Sequence, residues 1–169
     1  AALFLTPYFG SLYDKKGRGA TIMLIGSVML LLVHLLFSVP SLNSFPIAIA
    51  LVIFLGVAFA LVPSSMWPSI AKIIPHKQLG TAYSITFWVQ NWGLMGVPLL
   101  IGYVLDKYCV TGTVTKMIDG KSLEVTQYNY TIPMLIFACF GLLAILFAYM
   151  LKIEDRKKGY GLERPNIES

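Results

Sequence analysis

The sequence predicts an all-α integral membrane protein, on three observations. Only 12% of its 169 residues are charged and 57% are hydrophobic, with a mean hydropathy of +0.74; a soluble domain sits nearer half apolar and a quarter charged. The charge is also segregated. Residues 20–39, 47–71, 81–105 and 132–151 are free of Asp, Glu, Lys and Arg, and each run is about 20 residues or longer, enough to cross a ~30 Å hydrocarbon layer at 1.5 Å per residue. Finally, the runs are continuously apolar, without the alternation in roughly ten-residue segments that marks a membrane β-barrel.

The opening nine residues, AALFLTPYF, read as the end of a further spanning helix that has been cut off, so the chain is expected to be a fragment. It does not begin with Met, and no basic region opens it as a secretory signal would. Residues 10–19, GSLYDKKGRG, form a tight charged turn with one acid, three bases and three glycines. A crossing over 20–39 follows. It holds His34, expected as a neutral, hydrogen-bonded histidine, since no acid shares its crossing to make a proton relay.

The next crossing, 47–74, ends in LVPSSMWPSIAKIIP. Pro63 and Pro68 each remove a backbone hydrogen bond and kink the helix, and Ser64, Ser65 and Ser69 are expected to re-satisfy the freed carbonyls. Trp67, several residues inside Lys72, is expected on a cavity wall. The crossing over 79–106 places Tyr83, Phe87, Gln90 and Asn91 at spacings of one helical face. Such a stripe can hydrogen-bond a polar solute while stacking on its apolar parts. The alternative is that the amides join neighbouring helices, an interaction averaging ~0.6 kcal/mol. Gly93, Gly96 and Pro98 suit close packing.

Residues 107–130 form the longest loop. VTKMIDGKSLEVT alternates β-branched and polar residues around Asp119-Gly120, predicting a small β-hairpin. Asn129-Tyr130-Thr131 fits a glycosylation sequon, a motif common by chance. A last crossing over 131–152 precedes the polar tail, 153–169. Cys109 and Cys139 have no metal-site spacing and are expected to be unpaired.

Orientation follows from the thirteen Lys and Arg. Lys15, Lys16, Arg18, Lys72, Lys77, Lys152, Arg156, Lys157, Lys158 and Arg164 fall to one side; Lys107, Lys116 and Lys121 fall to the other. The basic side is cytoplasmic by the positive-inside rule. The net charge of +5 therefore reports topology rather than nucleic-acid binding.

In the turn, Gly10 would let a neighbouring helix approach, Gly17 would supply the positive φ of a sharp reversal, and Asp14 would meet a helix N-terminus or a base. Read as G-x-x-x-D-[RK]-x-G-R, it resembles the signature loop of the major facilitator superfamily, found between helices two and three and again between eight and nine. The resemblance implies a cytoplasmic gating element carried here by Gly10, Asp14, Lys15, Gly17 and Arg18, with Lys15 where Arg is frequent and Gly19 where a further base is common. The basic tail looks like a natural end, so the chain is identified with the end of helix eight plus helices nine to twelve of a six-helix bundle. Residues 75–106, and PSSMWPSIAKIIP before them, resemble bacterial members related to the lysosomal dipeptide-transporting branch.

The resemblance implies a secondary or facilitative transporter of a small polar solute, peptides among them, working by rocker-switch alternating access. Its partners would be the lipid bilayer, the N-terminal half of the same transporter and the solute, in a bacterial inner membrane. Ser64, Ser65, Trp67, Tyr83, Phe87, Gln90 and Asn91 would face the substrate cavity. No cofactor, metal or catalytic residue is assigned. A non-transporting scaffold or sensor is the alternative. A membrane enzyme lacks a His/Asp/Glu cluster, and an ATP-driven pump lacks a G-x-x-x-x-G-K-[ST] loop.

Overall fold

The structure, a computed structural model, describes residues 2–42, 44–118 and 121–167. Five helices and one two-stranded sheet follow in the order α1 (Ala2–Lys16), α2 (Gly19–Phe37), α3 (Phe45–Ile73), α4 (Leu79–Tyr108), β1 (Val110–Ile118), β2 (Lys121–Tyr128) and α5 (Thr131–Lys158). Short 3-10 turns at Pro40–Leu42 and His76–Gln78 join α2 to α3 and α3 to α4.

Two boundaries differ from the sequence reading. α1 does not end at residue 9: it continues through Gly10 and Asp14 to Lys16, leaving only Gly17 and Arg18 outside a helix. Residues 11–16 include good helix formers, and Lys15 and Lys16 complement the helix C-terminus. Gly17, at φ +70°, then stops the helix, its N–H donating to Tyr13 O at 2.7 Å. α5 likewise runs past residue 152 to Lys158, helped by the i,i+4 pair Glu154 and Lys158 at 2.8 Å. Gly159 ends it, also left-handed at φ +70°.

α2 lies at the centre, packed along α3 and α5, while α1 packs on α3. Small residues make these contacts close, as expected where lipid leaves no hydrophobic drive between helices. A Cβ on Gly26 of α2 would lie 2.9 Å from Val62 and 3.1 Å from Leu61 of α3. One on Gly141 of α5 would lie 3.1–3.3 Å from the Leu31 backbone and Cβ of α2. The buried set matches: Ala20, Met23, Gly26 and Ser27 of α2, Ala58, Leu61 and Ser65 of α3, Ala138 and Gly141 of α5.

α2, α3 and α5 are long and apolar enough to cross a membrane. α4, the expected third of four crossings, is not in that set, because Gln90, Asn91, Ser84 and Thr86 dilute its apolar run. Its ends nevertheless lie at opposite ends of the bundle. At one end of the bundle, Lys72 near the end of α3 donates to Gly161 O and Arg164 O beyond α5, and Lys152 of α5 donates to Thr21 at the start of α2. At the other end, Asn129 N–H donates to Cys109 O, joining the start of α5 to the end of α4. α4 therefore starts at the end where α3 finishes and ends where α5 begins. Its 30 residues span about 45 Å.

The hairpin forms with an antiparallel register from Val110↔Tyr128 to Ile118↔Lys121 and a bulge between Val110 and Gly112. Its expected turn, Asp119-Gly120, lies outside the described residues. Tyr128 donates to Asp106 Oδ1 at 3.2 Å, tying β2 to the end of α4.

Candidate functional site

Two regions hold the residues singled out by sequence. One is a cleft between α3 and α4. Pro63 and Pro68 interrupt the α3 hydrogen-bond ladder within six residues, and Trp67 projects between them toward α4. Its ring stacks on Phe87 at 4.7 Å and lies 5.7 Å from Tyr83. The Tyr83 hydroxyl donates to Trp67 O at 3.2 Å. Beside this aromatic cluster opens a cleft of about 400 Å³, floored by Leu30 of α2 and walled by Phe59, Val62, Pro63, Met66 and Trp67 of α3 and Thr86, Val89 and Gln90 of α4. A second hollow of about 510 Å³, between α4 and Phe137 of α5, shares Gln90 and continues along Gly93, Val97 and Pro98. Gln90 stands between the two as the one side-chain amide in either lining.

Asn91 is placed apart. It follows Gln90 by about 100° around the helix, lines a shallow hollow with Trp88, Trp92 and Met95, and donates its amide to Phe87 O at 2.8 Å. Ser64 and Ser65 are buried away from the cleft and also bond to their own helix, Ser64 to Leu61 O at 2.8 Å and Ser65 to Leu61 O at 3.0 Å. The serines were expected to satisfy the carbonyls freed by the prolines. Those are the i−4 oxygens of Phe59 and Ser64, yet the hydroxyls go to Leu61, Val62 and Ser65. The bifurcating hydroxyl reaches only the carbonyl one turn back from its own residue, and each serine sits one or two positions after a proline.

His34 lies outside both regions. Its Nδ1 donates to Leu30 O at 2.7 Å, and its ring packs 5.2 Å from Phe137. A carbonyl can only accept, so Nδ1 carries a proton.

The other region is the reversal between α1 and α2. Gly17 and Arg18 are both left-handed, at φ +70° and +63°. Asp14 stands in the last turn of α1, where its Oδ1 accepts from Asn166 Nδ2 at 2.7 Å and its carbonyl accepts from the N–H groups of Asn166 and Ile167. The Arg18 and Lys15 side chains are exposed. A Cβ on Gly10 would meet nothing within 4 Å, so the helix that would approach it is not among the described elements. The acid at the α2 N-terminus is not Asp14 but Glu163, whose carboxylate accepts from Thr21 N–H at 3.0 Å and from the Thr21 hydroxyl. Tyr13 is fully buried beneath this contact with the Lys72 ammonium 5.2 Å from its ring. Burial pushes the Tyr13 phenol above its ordinary pKa.

Sequence reasoning missed Glu163, Asn166 and Lys72 as parts of this region, and Phe59, Val62, Met66 and Val89 as cleft lining. A signal for the tail existed in GYGLERPN, where two glycines and a proline around an acid mark an ordered turn. The aliphatic lining had none, since it is indistinguishable in sequence from lipid-facing residues.

A Major Facilitator Superfamily model matches residues 1–166. Among similar proteins, the lysosomal dipeptide transporter MFSD1 of Gallus gallus is 35% identical over 102 residues, 60% of this chain and 22% of that protein. MFSD1 of Homo sapiens is 33% identical over 60% of this chain and 21% of its own length. The inner membrane transport protein YdiN of Escherichia coli (strain K12) is 30% identical over 98 residues, covering 58% and 22%. The chain thus spans about a fifth of the length of these relatives. No solved structure matches it.

Proposed function

The chain belongs to the major facilitator superfamily, and from that premise we propose that it supplies one wall of the solute cavity of a secondary transporter working by alternating access. That family comprises transporters rather than enzymes. The observation that carries the proposal is the cleft between α3 and α4, where a helix holding Pro63 and Pro68 carries an aromatic cluster against one free-standing amide. Irregular helices lining a cavity near the membrane midplane are the general device of such carriers. Trp67, Phe87 and Tyr83 form the aromatic wall, and Gln90 is the group that hydrogen-bonds the solute. Ser64, Ser65 and Asn91, all bonded to their own helices, shape the wall without touching the cargo.

A small peptide is the cargo class we infer. MFSD1 relatives are dipeptide transporters by name, and a dipeptide offers its one peptide group to Gln90 and its side chains to the aromatic wall. The inner-membrane location rests on the relative YdiN; the MFSD1 relatives are lysosomal by name. In either membrane the ten-base end faces the cytosol. At that end Asp14, Gly17 and Arg18, with Gly10 and Lys15, form the gate, Asp14 latching the cytoplasmic side against the N-terminal half.

Dipeptide uptake into proteoliposomes holding the full-length protein tests the reading. Gln90→Ala should raise KM roughly three- to tenfold, the loss of about one hydrogen bond, with folded yield unchanged. Trp67→Ala should raise it further. A scaffold or sensor would move no solute down a gradient, and a KM unchanged from the unaltered protein in both variants would remove the cleft from the transport path.

A further inference from the structure

The tail beyond α5 is bonded to four helices at once. Glu163 O accepts from Arg18 N–H at 3.1 Å and Leu162 O from Gly19 N–H at 2.8 Å. With the Glu163 carboxylate on Thr21, these acceptors satisfy N–H groups that the first turn of α2 would otherwise leave without partners. Thr21 in turn accepts from Lys152 of α5 at 2.7 Å. Lys72 of α3 holds the Gly161 and Arg164 carbonyls at 3.0 and 2.7 Å. Leu162 is fully buried, its N–H donating to the buried Asp155 carboxylate at 3.0 Å. Asn166 closes the circuit on Asp14 of α1. The fit leaves no slack: a Cβ on Gly17 would lie 2.6 Å from Glu163 O, and one on Gly19 would lie 3.1 Å from Leu162 O.

We infer that residues 159–167 act as a strap that fixes the reversal at Gly17 and Arg18 and orients Asp14, with Glu163 and Asn166 as positioning residues for the gate. The orienting part rests on the proposed gating role of Asp14. A two-residue reversal in the left-handed region is otherwise a weak joint, because Arg18, unlike Gly17, bears the steric penalty of that region. Held by the strap, α1, α2 and the tail move as one body, and the Asp14 carboxylate keeps one oxygen on Asn166 with the other available to a partner.

The test uses full-length transporter in inside-out vesicles, with its other cysteines replaced and Lys16→Cys as reporter, labelled by a membrane-impermeant maleimide. Asn166→Ala and Glu163→Gln should each raise the labelling rate roughly three- to tenfold, and Glu163→Asp, which keeps the charge, should return it toward the unaltered rate. The Asn166→Ala increment should vanish in an Asp14→Ala background, which removes the acceptor oxygen, since the two side chains act through one contact. Labelling unchanged by both tail variants, or an Asn166→Ala increment equal in both backgrounds, overturns the strap. Uptake unaffected by Asp14→Asn overturns the gate instead, and faster labelling in Glu163→Gln would then leave the strap's hold on the reversal standing.

Discussion

Asp14 occupies a position that helix electrostatics disfavours. An acid in the last turn faces the negative end of the helix dipole, at a cost of about 0.3–1 kcal/mol when exposed. Lys15 and Lys16 beside it and the Asn166 amide offset that cost. Glu163, by contrast, sits where an acid is favoured, on the N–H groups opening α2. The glycines of the same loop separate just as sharply. Gly17→Ala would combine a left-handed backbone with a Cβ driven into the backbone of residues 163–165. It should lower the apparent melting temperature of the detergent-solubilised full-length protein by several degrees, the left-handed conformation alone costing about 1–2 kcal/mol. Gly10→Ala, with open space around it here, should leave this chain's packing unchanged, so any loss it causes would report a contact beyond the described residues. Differential scanning fluorimetry on the pair reads the contrast directly. The need for positive φ at Gly17 was legible in the sequence, because a reversal between charged residues calls for it. The strap was not: residues 14 and 166 share no local pattern, and only the folded chain brings them together.

Among the elements, small-residue packing decides which helices form the body and which remains free. α2 is held on two sides through Gly26 and Gly141, whereas α4 has Val104 as its only buried residue. Gly141→Val should therefore separate α5 from α2, because the groups it meets are the Leu31 backbone and Cβ, which cannot rotate away. Gly26→Ala should be milder, since its nearest obstacle is a Val62 methyl that can turn. Size-exclusion chromatography should show Gly141→Val aggregated and Gly26→Ala monodisperse; the reverse order would mean that α2 depends chiefly on α3. The helices and the hairpin strands were readable from hydropathy and alternation. The facing of α4 was only partly readable. Spacing grouped Tyr83, Phe87, Gln90 and Asn91 on one side, but that arc is about 100° wide, and only its first three members meet α3 at the same wall.

For the whole molecule, the decisive relation is between the two ends of the bundle. Charge sorting, read from loops alone, put ten bases at one end, and Lys72 and Lys152 do converge there on the strap and on Thr21. The hairpin stands at the opposite end, fastened to α4 and α5. That arrangement runs α4 from one end of the bundle to the other, although its polar stripe keeps it from being apolar enough to cross by composition. A helix lined with Gln, Asn and Thr crosses lipid stably only if the stripe is covered by protein or faces a water-filled cavity, so its crossing and its cavity role stand together. In intact cells, Glu124→Cys on β2 should react with an impermeant maleimide added outside, while Lys157→Cys at the end of α5 should react only after permeabilisation. Labelling of both from the same side would mean that α4 does not cross, and the cleft between α3 and α4 would then lie at the membrane surface, where it could not serve alternating access.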